Sequence, residues 1–245
     1  MSLRFIERPS PNFDERVGVK RPEILLLHYT GMQSCEAAVA RLTDAAARVS
    51  SHYTIDEDGT VYVHVPEYLR AWHAGVSSWR GHTDINSRSV GIEIVNPGHE
   101  FGYRAFPETQ VEAVIALSQE IIARHDIPAR NVIAHSDVAP GRKTDPGELF
   151  PWRRLAEAGV GVWVDAVPLN VEALSRGMSG PEVLAFQSQL ARYGYGLESN
   201  GEFDAATEYV VREFQRHFRP EKFDGVADSL TQSLLRVFNE GLDGG

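Results

Sequence analysis

The run Glu23-Ile24-Leu25-Leu26-Leu27, which ends on His28, constrains this chain most. A run that apolar is too short for a buried helix and does not alternate. It therefore reads as a central strand covered on both faces, which demands a sheet with layers above and below it. Two more segments share its character. Ser89-Val90-Gly91-Ile92-Glu93-Ile94-Val95 is apolar with one carboxylate inside it, and Asn131-Val132-Ile133-Ala134 ends on His135.

Helical spacing separates these strands. Cys35 to Val49 carries apolar positions at Ala38, Val39, Leu42 and Ala46, and Pro107 to His125 carries them at Val111, Val114, Ile115, Leu117, Ile121 and Ile122. Between lies a hairpin, Ser51–Ile55 and Thr60–His64, turned at Asp58-Gly59. Strands alternating with helices predict an α/β fold with a mixed central β-sheet flanked by helices.

The character changes after a Gly- and Pro-marked stretch from Glu157 to Pro168. Residues 181–193, 205–218 and 228–239 predict three short helices, with Val183, Leu184, Leu190, Val210, Val211, Phe214, Leu230, Leu234, Leu235 and Phe238 facing inward. Asn200-Gly201-Glu202-Phe203-Asp204-Ala205-Ala206-Thr207 is echoed by Asp224-Gly225-Val226-Ala227-Asp228-Ser229-Leu230-Thr231. In each copy a glycine turn precedes an aspartate placed to cap a helix. The expected division is residues 1–160, a linker at 161–175, and a small three-helix C-terminal domain at 176–245.

Charge and cysteine content exclude several functions. The net charge of −10 divides evenly, with 17 basic against 22 acidic residues up to 165 and 7 against 12 beyond it. Neither half is basic, so counterion-release binding to nucleic acid is not expected. The single cysteine, Cys35, rules out an internal disulfide and a zinc site built on cysteine pairs. No apolar run approaches the roughly 20 residues of a membrane span, and no export signal is visible at the start.

His28 and His135 each end an apolar strand, and Asp145 follows in a loop bounded by Pro140-Gly141 and Pro146-Gly147. Two imidazoles and a carboxylate suit a catalytic zinc, whose fourth position stays open. The other reading is two hydrogen-bonded histidines at strand ends. Glu93 is costly to bury without a partner, and a raised pKa would fit it for proton transfer; equally, it could face solvent. Lys143 could place a cation near a developing oxyanion or be a surface lysine.

Taken together, Leu27-His28-Tyr29-Thr30, Ser51-His52-Tyr53-Thr54-Ile55-Asp56, Ala71-Trp72-His73-Ala74-Gly75, Val90-Gly91-Ile92-Glu93, and Ala134-His135-Ser136-Asp137 through Lys143-Thr144-Asp145-Pro146-Gly147 resemble the zinc-dependent N-acetylmuramoyl-L-alanine amidases related to peptidoglycan-recognition proteins. The resemblance runs over about residues 20–155. It implies Zn2+ held by His28, His135 and Asp145, with Glu93 as the catalytic acid–base and Lys143 stabilising the oxyanion. It places Tyr29, His73, Trp79 and Asn96 along the substrate groove, and leaves His52 a structural, hydrogen-bonding role. Gly180-Pro181-Glu182-Val183, Phe186-Gln187, Asn200–Asp204, Phe214-Gln215 and Asp224-Gly225-Val226 resemble a helical peptidoglycan-binding domain.

The implied activity is hydrolysis of the amide between N-acetylmuramic acid and L-alanine in peptidoglycan or muropeptides, by a monomer. A non-catalytic peptidoglycan-binding protein and a zinc peptidase acting within the stem peptide are the competing readings. The expected location is the cell envelope (periplasm) if an export signal was removed, and otherwise the cytoplasm.

Overall fold

In the computed structural model, which describes residues 3–241, the chain divides into two compact units. One comprises the residues up to Ser77, Asp84–His135 and Asp145–Val162; the other comprises Ser78–Thr83, Ser136–Thr144 and the chain from Trp163 onward. Two short segments inside the expected first domain thus group with the helical unit.

The first unit is α/β. Its six-stranded sheet has the order β1 (Phe5–Glu7), β5 (Val61–Val63), β4 (Tyr53–Ile55), β7 (Ser89–Ile94), β3 (Ile24–Tyr29) and β8 (Val132–Ala134). Only the β4–β5 hairpin is antiparallel; every other pair in this sheet is parallel. A separate antiparallel pair joins β2 (Phe13–Glu15) to β6 (Leu69–Ala71). As the apolar run predicts, β3 is central, and Leu25, Leu26 and Leu27 are fully buried. The helix Glu108–His125 covers the sheet with Val111, Val114, Leu117 and Ile121.

One helix is shorter than its spacing suggests. It runs from Cys35 to Thr43 and stops there, because the Asp44 carboxylate accepts the N–H of Ala46 and starts a separate single turn over Ala45–Ala47. An aspartate that satisfies a neighbouring backbone donor competes with the helix for it. Ala46, expected on the buried face, is exposed.

The second unit holds the three expected helices, Pro181–Tyr193, Ala205–Phe218 and Ser229–Glu240. Their core includes Val183, Phe186, Leu190, Tyr193, Val211, Phe214, Phe218, Leu235 and Phe238. Leu184, expected inside, is 43% exposed. Part of the stretch expected to be linker is strapped to this unit: Leu174 and Ala227 exchange both backbone hydrogen bonds, at 3.0 and 2.9 Å.

The sequence echo has a structural counterpart. Gln187 Nε2 donates to the Glu202 carbonyl (2.9 Å) and to Thr207 Oγ1 (2.9 Å), while its Oε1 accepts Gly201 N–H (2.8 Å). Gln215 repeats each contact with Val226 (2.8 Å), Thr231 (3.0 Å) and Gly225 (2.9 Å). Asp204 and Asp228 cap the following helices through Thr207 and Thr231 N–H. Each glutamine closes one turn-helix unit, so the repeat extends back to include Phe186-Gln187 and Phe214-Gln215.

Candidate active site

Register builds the site. In the parallel β3–β7 pair His28 lies opposite Glu93, and in the β3–β8 pair Leu27 lies opposite Ala134, so His135 follows at the level of His28. Parallel neighbours in register point to the same face, so His28 and Glu93 lie side by side on β3 and β7, and His135 stands one residue past the end of β8, where the short helix His135–Val138 begins. Asp145 returns to these residues from a loop held at its far side by Tyr103, whose hydroxyl donates to the Pro146 carbonyl (2.8 Å) and accepts Leu149 N–H (3.0 Å). The Asp145–Pro146 peptide is cis.

His28 Nδ1, His135 Nδ1 and Asp145 Oδ2 converge. His28 Nδ1 is 2.9 Å from His135 Nδ1 and 3.2 Å from Asp145 Oδ2, and His135 Nδ1 is 2.9 Å from the same oxygen. All three residues are buried. Glu93 is partly exposed on its strand, between the fully buried and the solvent-facing readings of the sequence.

The donor set fits a cation. His135 Nε2 lies 3.1 Å from the Ala74 carbonyl, which can only accept, so Nε2 carries the ring proton. In the neutral ring, Nδ1 then turns a lone pair toward a carboxylate oxygen. With His28 Nδ1 likewise unprotonated, the three inward atoms, about 3 Å apart, are all acceptors and repel one another unless a cation sits among them. Four ligands about 2.0–2.1 Å from a zinc would lie roughly 3.3 Å from one another, close to the spacings here. Burial alone would raise the Asp145 pKa; His135 and His28 beside it instead hold it well below the ordinary carboxylate value.

His73 is half-buried beside the cluster. Its Nδ1 is 3.0 Å from His28 Nε2, and burial with His28, His52, His135 and Arg16 nearby holds it well below the usual histidine pKa of 6.5. His52 is structural, as expected: its Nδ1 accepts Gly91 N–H at 2.9 Å, and burial lowers its pKa to about 3.

Two groove expectations need correction. Asn96 is 1% exposed, and its side chain donates to the Arg104 carbonyl (2.8 Å) and accepts Gly98 N–H (3.0 Å), so it shapes a loop. Trp79 is also 1% exposed, packed edge-on against Tyr193 and Tyr195 within the helical unit. Tyr29 is placed differently. It ends β3 half-buried, with its hydroxyl 3.0 Å from Nδ1 of the more exposed His99, and His99 stacks on Tyr103 at 4.3 Å. Lys143 is half-buried in the segment assigned to the helical unit, where its N–H donates to the Ala139 carbonyl.

Asn86 is the residue that sequence reasoning missed. Its Oδ1 accepts both His73 N–H (3.0 Å) and Ala74 N–H (2.8 Å). An asparagine ahead of a strand carries no signal of that in the sequence.

The comparisons with known proteins cover both units. An N-acetylmuramoyl-L-alanine amidase family model matches residues 18–148, and a peptidoglycan binding domain model matches residues 179–235. The chain is 38% identical to the N-acetylmuramoyl-L-alanine amidase AmiD of Escherichia coli (strain K12), over 90% of this chain and 83% of that one. It is 33% identical to the 1,6-anhydro-N-acetylmuramyl-L-alanine amidase AmpD of the same strain, over 60% of this chain and 87% of AmpD. Among solved structures, the complex of E. coli AmiD with anhydro-N-acetylmuramic acid-L-Ala-D-gamma-Glu-L-Lys matches with a TM-score of 0.79 at 35% identity, covering 94% of this chain and 98% of that one. AmpDh3 of Pseudomonas aeruginosa, in complex with anhydromuramic pentapeptide, matches with a TM-score of 0.76 at 31% identity, covering 95% and 97%. The amidase match encloses His28, Glu93, His135 and Asp145, and the chain belongs to the N-acetylmuramoyl-L-alanine amidase family.

Proposed function

We propose a zinc-dependent route for the reaction of this family, hydrolysis of the amide joining N-acetylmuramic acid to L-alanine in peptidoglycan or muropeptides. The observation that carries the metal is the convergence of His28 Nδ1, His135 Nδ1 and Asp145 Oδ2, with Nε2 of His135 already occupied as a donor. Zinc bound by these three would supply Lewis acidity, lowering the pKa of water to roughly 7 and polarising the scissile carbonyl.

The remaining work falls to the chain's own side chains. Glu93, opposite His28 in register and partly open to solvent, takes a proton from the attacking water and returns it to the departing L-alanine amine. Lys143 stabilises the negative charge that develops on the carbonyl oxygen, a role carried over from the family motif. Tyr29, with His99 and Tyr103 beside it, offers an aromatic surface to the substrate.

In the same reading, residues 1–160 act as the amidase domain, 161–175 as a connection and 176–245 as a wall-binding domain that keeps the enzyme on its polymer. The match of a peptidoglycan binding domain to residues 179–235 supports that assignment. The envelope is the compartment where such a module has its ligand. Among the described residues no helix is long and apolar enough to cross a membrane.

The test is zinc measured by elemental analysis on purified protein, beside mass spectrometry of a muropeptide digest with and without chelator. One zinc per chain and chelator-sensitive release of an intact stem peptide are expected. Protein without zinc that still releases the peptide would overturn the metal; cleavage inside the stem peptide would overturn the bond.

A further inference from the structure

Each histidine of the cluster turns one ring nitrogen inward, and the opposite nitrogen of each is met by the same two-residue segment. His28 Nε2 faces His73 Nδ1 at 3.0 Å, and His135 Nε2 faces the carbonyl of Ala74 at 3.1 Å. The hydrogen bonds run in one direction. With Nδ1 of His28 committed to the cluster, its Nε2 carries the proton and donates to His73 Nδ1. The proton of His73 is then on Nε2, which faces Ser89 Oγ at 3.4 Å, and Ser89 donates onward to the Ile85 carbonyl at 2.7 Å. Every acceptor in the relay is met by a donor.

The segment is itself fixed from behind. Asn86 Oδ1 accepts the N–H groups of both His73 and Ala74, at 3.0 and 2.8 Å. The ring of His73 lies directly over Gly91, where a Cβ would come within 2.6 Å of Nδ1 and Cε1. The backbone of Gly91 has no positive φ to explain a glycine. The room it leaves is filled by His73.

We infer that His73, Ala74 and Asn86 form a bracket that sets the ring orientation and tautomer of both His28 and His135, so that His73 is a positioning residue for the metal rather than a contact for substrate. The inference rests on the metal-site reading above. Partners on the far nitrogen of a ligating histidine fix its tautomer and raise its basicity, and losing one costs about 10–100-fold in metal affinity.

The experiment titrates zinc into the metal-free full-length protein against a chromophoric chelator, with Co2+ absorption as a second readout of ligand geometry. His73→Leu is expected to bind zinc about 10–100-fold more weakly. His73→Asn, whose Oδ1 can stand where Nδ1 stood, is expected to recover most of that loss. Asn86→Leu should weaken zinc binding in the same direction, and Asn86→Asp, which keeps the acceptor, should not. A zinc affinity in His73→Leu equal to that of the unaltered protein would overturn the bracket. So would equal losses in His73→Leu and His73→Asn, which would mark His73 as packing only. Should His73→Leu fail to fold, His73→Gln takes its place, since its amide reaches past the Nδ1 position and is expected to lose affinity where Asn keeps it; Gln and Asn behaving alike would again overturn the inference. His135→Ala separates the two levels. Zinc binding that survives it refutes the site itself, whereas binding lost there and kept in His73→Leu refutes only the bracket.

Discussion

In the helical unit, Gln187 and Gln215 each donate to a carbonyl and a threonine hydroxyl and accept a glycine N–H, so every buried amide group finds its complement within one turn-helix unit. In the sheet unit, His28, His135 and Asp145 do the opposite: they bring acceptor atoms within about 3 Å of one another and take their donors' partners from elsewhere. Both are buried polar networks, and burial is costly in both unless the groups are satisfied. The first closes on itself and stabilises a loop. The second is an arrangement that a cation held among its three inward atoms would complete, which is what separates a candidate site from a structural network.

The most severe way to break this contrast is at the ligands. His135→Ala or Asp145→Ala should abolish stoichiometric zinc and stem-peptide release together, while leaving the helical unit's glutamine contacts intact; zinc retained in either variant would contradict the assignment. Glu93→Ala should separate the two properties. Zinc content should stay at one per chain while turnover falls about 10²–10⁴-fold, and an active variant would remove Glu93 from the chemistry.

The helical unit should answer only in stability. Gln187→Leu and Gln215→Leu each strand a glycine N–H and remove one of two donors from a neighbouring carbonyl, and should cost about 1–3 kcal/mol in chemical denaturation with zinc affinity unmoved. A loss in one repeat but not in the other would show that the duplication is no longer energetically equivalent.

The sheet unit should also be more sensitive to acid at His52. Burial first, and Arg16 second, lower its pKa to about 3, so between about 3 and 6.5 the unfolded chain binds a proton that the folded one refuses. Its contribution is complete above pH 6.5 and lost as pH falls toward 3, amounting to about 2 kcal/mol between pH 7 and pH 5. Unfolding free energies of His52→Gln at those two pH values should differ by that much less than those of the unaltered protein. The smallest effect belongs to a cap: Asp204→Ala should cost about 1 kcal/mol, readable as a lowered denaturation midpoint, and Asp228→Ala should cost more, since its carboxylate also meets Arg219 and Lys222.

Much of this was legible in the chain. The buried β3 strand, the Asp58-Gly59 hairpin and the helices Pro181–Tyr193 and Ala205–Phe218 follow from apolar spacing and turn chemistry, because these elements are decided by local pattern. The strands β1 and β2 were not seen. Each is three residues long and mostly exposed, so neither carries an apolar period for a sequence to display. At the site, strand ends identified His28 and His135, but spacing could not say which ring nitrogen faces which partner. Spacing alone therefore puts His73 in a groove, puts Trp79 and Asn96 on a surface they do not reach, and gives no sign of Asn86. Hydrogen-bond direction around an imidazole is a property of three-dimensional placement, and no spacing rule encodes it.

The register of His28 with Glu93 is set by strand pairing, and that gives the site an uneven tolerance to insertion and deletion over evolutionary time. One residue gained or lost within β3 would reverse the facing of everything after it, removing His28 from both partners in a single event. A similar change in the loop that leads to Asp145 lies outside the sheet and would disturb that ligand while leaving His28 in register with Glu93. Length variation among descendants of this chain should therefore collect in that loop and be absent from β3, β7 and β8.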